Sequence, residues 1–117
     1  MSYRKEKKKS LVGLNYSEYS SEQLQSLCST VLDNGMHGLC FSPYEEGQKP
    51  GDLITEAQIR KRLEIIAPYT KWIRSFSCTE GNDLIPKLAK EYGLKTLVGA
   101  WLGDDKVVNN KEMKALI

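Results

Sequence analysis

Side chains able to make or break bonds are few in this 117-residue chain, and they stand far apart. His37 is the only histidine, so no Ser-His-Asp or Cys-His relay can be assembled without it, and its place beside Gly38 suits the start of a strand. Cys28, Cys40 and Cys78 form an odd set with no Cys-x-x-Cys pair. With one histidine beside them they build neither a zinc site nor a disulfide framework, and a reducing compartment suits them best. Cys40 and Cys78 fall in strand-like apolar stretches, where a thiol is expected to be buried and to pack as a small apolar group. Gly-Asp-Leu at 51–53 and Gly-Asp-Asp at 103–105 are followed by neither Gly-Lys-Ser nor a Gly-x-Gly-x-x-Gly run, so no phosphate cradle and no cofactor are indicated. Carboxylates remain: Glu45, Glu80 and Asp104 each follow a strand-like segment. Proton transfer would need one of them held with a raised pKa, and in polar loops such groups are expected to be solvated or to cap helices.

The elements that must position these residues alternate along the chain. Ser20 with Gln23 has capping-box spacing ahead of a helix at Glu22–Leu32, in which Leu24, Leu27, Cys28, Val31 and Leu32 make one apolar stripe. Asn34 and Gly35 stop it, and Gly38–Ser42 reads as a short strand ending at Pro43. After a polar loop at 45–52, Thr55 caps a helix that buries Ile59, Leu63, Ile66 and Ala67 and ends at Pro68. Trp72–Ser77 is a second strand, Asn82 caps a helix at Asp83–Tyr92 closed by Gly93, and Lys95–Leu102 is a third strand. Asn109 or Asn110 caps a last helix with Met113, Leu116 and Ile117 as its apolar side. Strands alternating with helices in this way predict an α/β chain with parallel strands. Gly-Leu-Asn-Tyr-Ser-Glu-Tyr at 13–19 echoes Gly-Leu-Cys-Phe-Ser-Pro-Tyr at 38–44, which would make Leu11–Tyr16 a further strand and the 22–32 helix a crossover.

Three segments carry a resemblance: Gly-Leu-Cys-Phe-Ser-Pro-Tyr at 38–44, Trp-Ile-Arg-Ser-Phe-Ser-Cys at 72–78, and Gly-Leu-Lys-Thr-Leu-Val-Gly-Ala-Trp-Leu at 93–102. In this order and at these intervals they resemble the opening of glycoside hydrolase family 17, the β-1,3-glucanase family, over residues 36–117. The resemblance implies a partial (β/α)8 TIM barrel at 36–117, about its first three βα units, behind a basic tail and helical extension at 1–35. It implies a retaining mechanism with one Glu as acid/base after the fourth strand and another as nucleophile after the seventh. A full barrel takes about 250 residues, and both catalytic positions fall outside this chain, which is therefore expected to be inactive alone. Arg74, on the second family strand, would help to keep the nucleophile ionised, and alternation puts it on one face with Trp72 and Phe76. Tyr44 and Trp101 would be platforms for pyranose rings, with Phe76 and Ser77 as further contacts at the second strand's tip, and core packing is the alternative use of the same rings. The implied partner is a β-glucan or its oligosaccharides.

Composition narrows the other classes. With 40% hydrophobic residues and nine glycines the chain falls in the globular range. Five of its 17 basic residues, with Glu6 as the one acid, lie between Arg4 and Lys9, leaving 12 bases against 14 acids elsewhere. A slightly acidic remainder argues against nucleic acid as a partner, and the basic end is expected to be solvated. No apolar run approaches the roughly 20 residues of a membrane span, and the apolar patch after the basic stretch is too short for a secretory signal, which favours the cytoplasm. Two other readings compete with the hydrolase: a carbohydrate-binding or assembly half-barrel, self-associating through open sheet edges, and an unrelated small α/β fold.

Overall fold

A computed structural model describes residues 15–117. The basic stretch and most of the proposed 11–16 strand lie outside them; within them, Tyr16 opens a 3-10 turn at Tyr16–Glu18 rather than ending a strand. The regular elements are α1 (Ser21–Asn34), β1 (Met36–Cys40), α2 (Glu56–Ile66), β2 (Thr70–Arg74), α3 (Ile85–Glu91), β3 (Lys95–Leu97) and α4 (Lys106–Leu116). The three strands form one parallel sheet in the order β1-β2-β3, with Gly38 opposite Trp72, Cys40 opposite Arg74, and Arg74 opposite Leu97.

Local chemistry accounts for the helix starts. The Ser20 hydroxyl accepts from the Gln23 amide at 3.2 Å and the Gln23 side chain accepts from the Ser20 amide at 2.8 Å, the reciprocal capping box. Thr55 caps α2 by accepting from the Gln58 amide at 3.3 Å. Thr55→Ala is expected to cost about 1 kcal/mol, read as a lower urea midpoint with unchanged slope. Two other caps differ from expectation. Asn82 does not cap α3; its amide donates to the Thr79 carbonyl at 2.9 Å within a 3-10 turn, Asn82–Leu84, that precedes the helix. For α4 the cap is Asp105, which accepts from Val107 and Val108, and Asn109 lies inside the first turn.

α2 and α3 pack on one face of the sheet. Ile59 and Leu63 from α2 and Ile85, Leu88 and Ala89 from α3 bury themselves against Phe41, Ile54, Ile73 and Leu94, with Ile66 and Ala67 partly buried at the margin. Arg60 joins the two helices outside this core, bonding Glu56 at 2.8 Å and Glu91 at 2.7 Å. The opposite face is open among the described residues: Gly38, Cys40, Arg74, Lys95 and Leu97 are all exposed. Cys40 is thus a surface thiol, contrary to expectation, because its side of the strand is the uncovered one; Cys78 is buried. The apolar stripe of α1 is also exposed apart from the half-buried Leu32, and no residue of that helix is buried. No helix among the described residues is long and apolar enough to cross a membrane.

Candidate functional site

Because the strands are parallel, the loops that follow them leave the sheet at the same end. Between these loops and α4 lies a cavity of about 620 Å³. Its walls carry four aromatic rings, Phe41, Tyr44, Phe76 and Trp101, and the neutral polar side chains of Ser42, Gln48, Ser77, Thr79 and Asn82. Four residues singled out from the sequence, Tyr44, Phe76, Ser77 and Trp101, meet here. Arg74 does not line this cavity. It is exposed, its guanidinium lies 4.9 Å from the Phe76 ring centroid, and it borders a second hollow of about 330 Å³ with Trp101 and Leu102. Phe76 and Trp101 line both spaces. Solvent reaches Arg74, so no desolvation cost attends its charge.

The first wall is held from α2. Gln58, a buried polar residue in that helix, donates to the Pro43 carbonyl and to Gln48 Oε1, both at 2.6 Å. Gln48 Oε1 also accepts from the Glu45 amide at 2.8 Å, and Arg62 donates to the Tyr44 carbonyl at 3.3 Å. The backbone on either side of Tyr44 is therefore fixed, and its ring both packs against the hydrophobic core and faces the cavity. Of the two uses weighed for this ring, packing against the core is present.

The second and third walls converge on a residue that the sequence did not single out. Glu112, on α4, is 1% exposed. Its Oε1 accepts from the Ser77 hydroxyl at 2.5 Å and the Thr79 hydroxyl at 2.6 Å. Its Oε2 accepts from the Cys78 amide at 2.8 Å and the Trp101 amide at 3.1 Å. Burial pushes the carboxyl pKa up, but the bonds from Ser77, Thr79, Cys78 and Trp101 outweigh it and hold the group below its ordinary range. Glu112 is thus an ionised acceptor with both oxygens engaged, unsuited to donate a proton. The neighbouring Cys78 thiol is pushed up, first by burial and then by the charges of Glu112 and Asp83, and its Sγ lies 3.6 Å from the Gly99 carbonyl. It is a packed thiol rather than a nucleophile. One sequence signal pointed to Glu112: it stands four residues from both Val108 and Leu116, a carboxylate within an apolar helical register.

Of the three rim carboxylates, Glu80 alone lines the cavity; Glu45 and Asp104 are exposed and away from it. Glu80 is exposed and adopts φ 55°, a left-handed conformation uncommon outside glycine, asparagine and aspartate. No group of three or more His, Cys, Asp or Glu side chains that could hold a metal ion occurs among the described residues.

No protein-family model, curated protein or solved structure matches the chain. The site therefore stands on its own geometry.

Proposed function

We propose that the cavity is a carbohydrate-binding site and that the chain is the opening portion of a glycoside hydrolase barrel acting on β-1,3-glucan, without turnover of its own. The observation that carries this reading is the meeting of Tyr44, Phe76 and Trp101 with neutral hydrogen-bonding groups in one cavity at the C-terminal ends of parallel strands. Pyranose rings offer apolar faces to aromatic side chains and hydroxyl rims to Ser, Thr, Gln and Asn. Phosphate or carboxylate ligands would call for cations, and neither Lys nor Arg lines this cavity. Two features support a barrel origin. Both crossover helices lie on the same face of the sheet, as in a barrel wall, whereas doubly wound sheets carry helices on both faces. The cavity also sits at the strand ends where barrel sites form.

The absence of turnover follows from the carboxylates at hand. Retaining hydrolysis needs one protonated and one ionised carboxyl facing each other across the bond, and Glu112 is saturated with donors. Titration calorimetry of the purified chain with laminari-oligosaccharides, beside a reducing-sugar assay, tests both parts. Binding without sugar release is expected, and Trp101→Ala should weaken it about tenfold, the loss of ~1.4 kcal/mol of ring contact. An absence of binding would sink the carbohydrate reading; sugar release abolished by Glu80→Gln would sink the claim of inactivity.

A second reading, an assembly half-barrel, is favoured by the open sheet face, since parallel sheets are ordinarily covered on both sides. A concentration-independent monomer in sedimentation velocity would count against it.

A further inference from the structure

α4 is joined to the loop after β3 at two points. Glu112 accepts from the Trp101 amide at 3.1 Å, and one turn earlier Asn109 exchanges two bonds with Gly103: the Gly103 amide donates to Asn109 Oδ1 and Asn109 Nδ2 donates to the Gly103 carbonyl, both at 2.8 Å. Residues three apart on a helix share a face, so both ties come from the same side of α4. Between them the Trp101 and Leu102 side chains stand 59% and 56% exposed. An aromatic group this exposed would ordinarily sit on a loop free to move. Here its backbone is held at both ends. The same Glu112 carboxylate also takes the Ser77 and Thr79 hydroxyls and the Cys78 amide, so one group sets the separation of two cavity walls.

We propose that Glu112, assisted by Asn109, is the positioning residue of the cavity, holding Trp101 as a pre-ordered platform opposite the Ser77–Thr79 wall through its acceptor geometry rather than through an ion pair or proton transfer. Where a ligand is concerned this rests on the carbohydrate reading above; the backbone clamp itself does not. Pre-ordering matters because a loop that must be immobilised on binding subtracts its lost entropy from the affinity. Geometry can be separated from charge here. Among the described residues the ion pairs all belong to Arg60, and Glu112 has no cationic partner. A glutamine could put its carbonyl oxygen where Oε2 accepts the two amides, and donate from its NH₂ to the Ser77 and Thr79 oxygens, whose hydroxyls rotate to accept. An alanine supplies nothing to either wall.

Amide hydrogen exchange on the full chain tests the clamp, read alongside the fluorescence anisotropy of Trp101 in a Trp72→Phe background, where Trp101 is the only indole. Glu112→Ala should speed exchange at the Trp101 and Cys78 amides about tenfold or more while Ile73, in the centre of the sheet, stays protected. Glu112→Gln should stay within about threefold of the parent at the same amides. Asn109→Ala should release the Gly103 amide and lower the indole anisotropy. Three results would overturn the proposal: a Trp101 amide still protected in Glu112→Ala, a Gln variant as loosened as the Ala variant, or unchanged Gly103 exchange and anisotropy in Asn109→Ala. If Glu112→Ala does not fold, the other two variants still decide. Laminari-oligosaccharide titrations of the same set should show weaker binding in Asn109→Ala and near-parental binding in Glu112→Gln. A parent chain that binds no oligosaccharide would remove the carbohydrate reading and leave the exchange result to decide the clamp.

Discussion

Gly81→Ala is expected to destabilise the protein by about 3 kcal/mol or more, enough to lower Tm by more than ~10 °C in a domain of this size. Gly81 sits at φ 88°, and a Cβ built there would lie 2.1 Å from the Ile54 carbonyl oxygen and 3.0 Å from its carbonyl carbon. These are backbone atoms, so no rotamer change relieves the overlap. Nor can Ile54 withdraw, because its side chain is buried in the core and its amide donates to the Glu80 carbonyl at 2.8 Å. A left-handed conformation costs a residue with a Cβ roughly 1–2 kcal/mol, and losing the Ile54–Glu80 bond adds about 1 kcal/mol. Glu80 is itself left-handed, so the turn already carries one strained residue before the substitution. Since this turn supplies the cavity wall at Glu80 and Asn82, oligosaccharide binding should fall with stability. A variant melting within two or three degrees of the parent would show that the close approach of Gly81 to Ile54 is not kept in solution.

Glu112→Ala should cost about 3 kcal/mol at neutral pH. The two hydroxyls can turn to each other, since Ser77 and Thr79 already lie 3.4 Å apart, but the Cys78 and Trp101 amides lose their acceptor, at roughly 1–3 kcal/mol for the buried Cys78 donor and less for the part-buried Trp101 one. The pH dependence follows from the direction of the Glu112 shift. Burial works against the ionised form, the four hydrogen bonds favour it more, and the folded-state pKa lies below the unfolded one. The ionised carboxylate therefore contributes its full stability above the unfolded value of about 4.3, and that contribution is lost as pH falls below it and through the folded value. Urea unfolding at pH 7 and again near pH 3 should show the parent losing stability that Glu112→Gln, which does not titrate, retains. A parent and Gln variant with parallel pH profiles would mean that the carboxylate is not held as described.

What was legible in advance was what a few neighbouring residues decide. A capping box needs only Ser20 and Gln23, and a helix stop needs only Gly35 at φ 74°, so both ends of α1 could be read from spacing. The Ile59–Leu63 repeat placed the buried side of α2 by the same local logic. Strand limits were displaced, because a strand ends where its partner does. The first two ladders begin and end two or three residues earlier than the apolar stretches that announced them, and β3 stops at Leu97 opposite Arg74 although apolar residues continue to Leu102. Asn82 and Asn109 are good cap formers by type, yet each found a different partner: the Thr79 carbonyl for one and the Gly103 backbone for the other. Gln58, which pins the first cavity wall, was not singled out by the apolar spacing of its helix.

By itself the sequence determined an α/β chain with parallel strands, where α1 and α2 begin, and which aromatic residues follow the strands. Those properties depend on contacts within one turn or on hydrophobic period. Only the tertiary structure decided that Tyr44, Phe76, Ser77 and Trp101 share a cavity, that Arg74 stands outside it, and that Glu112 joins its walls. The donors to that carboxylate come from residues 11 to 35 positions away, and a side chain's partner at such a distance is set by how the elements pack, not by the residues beside it.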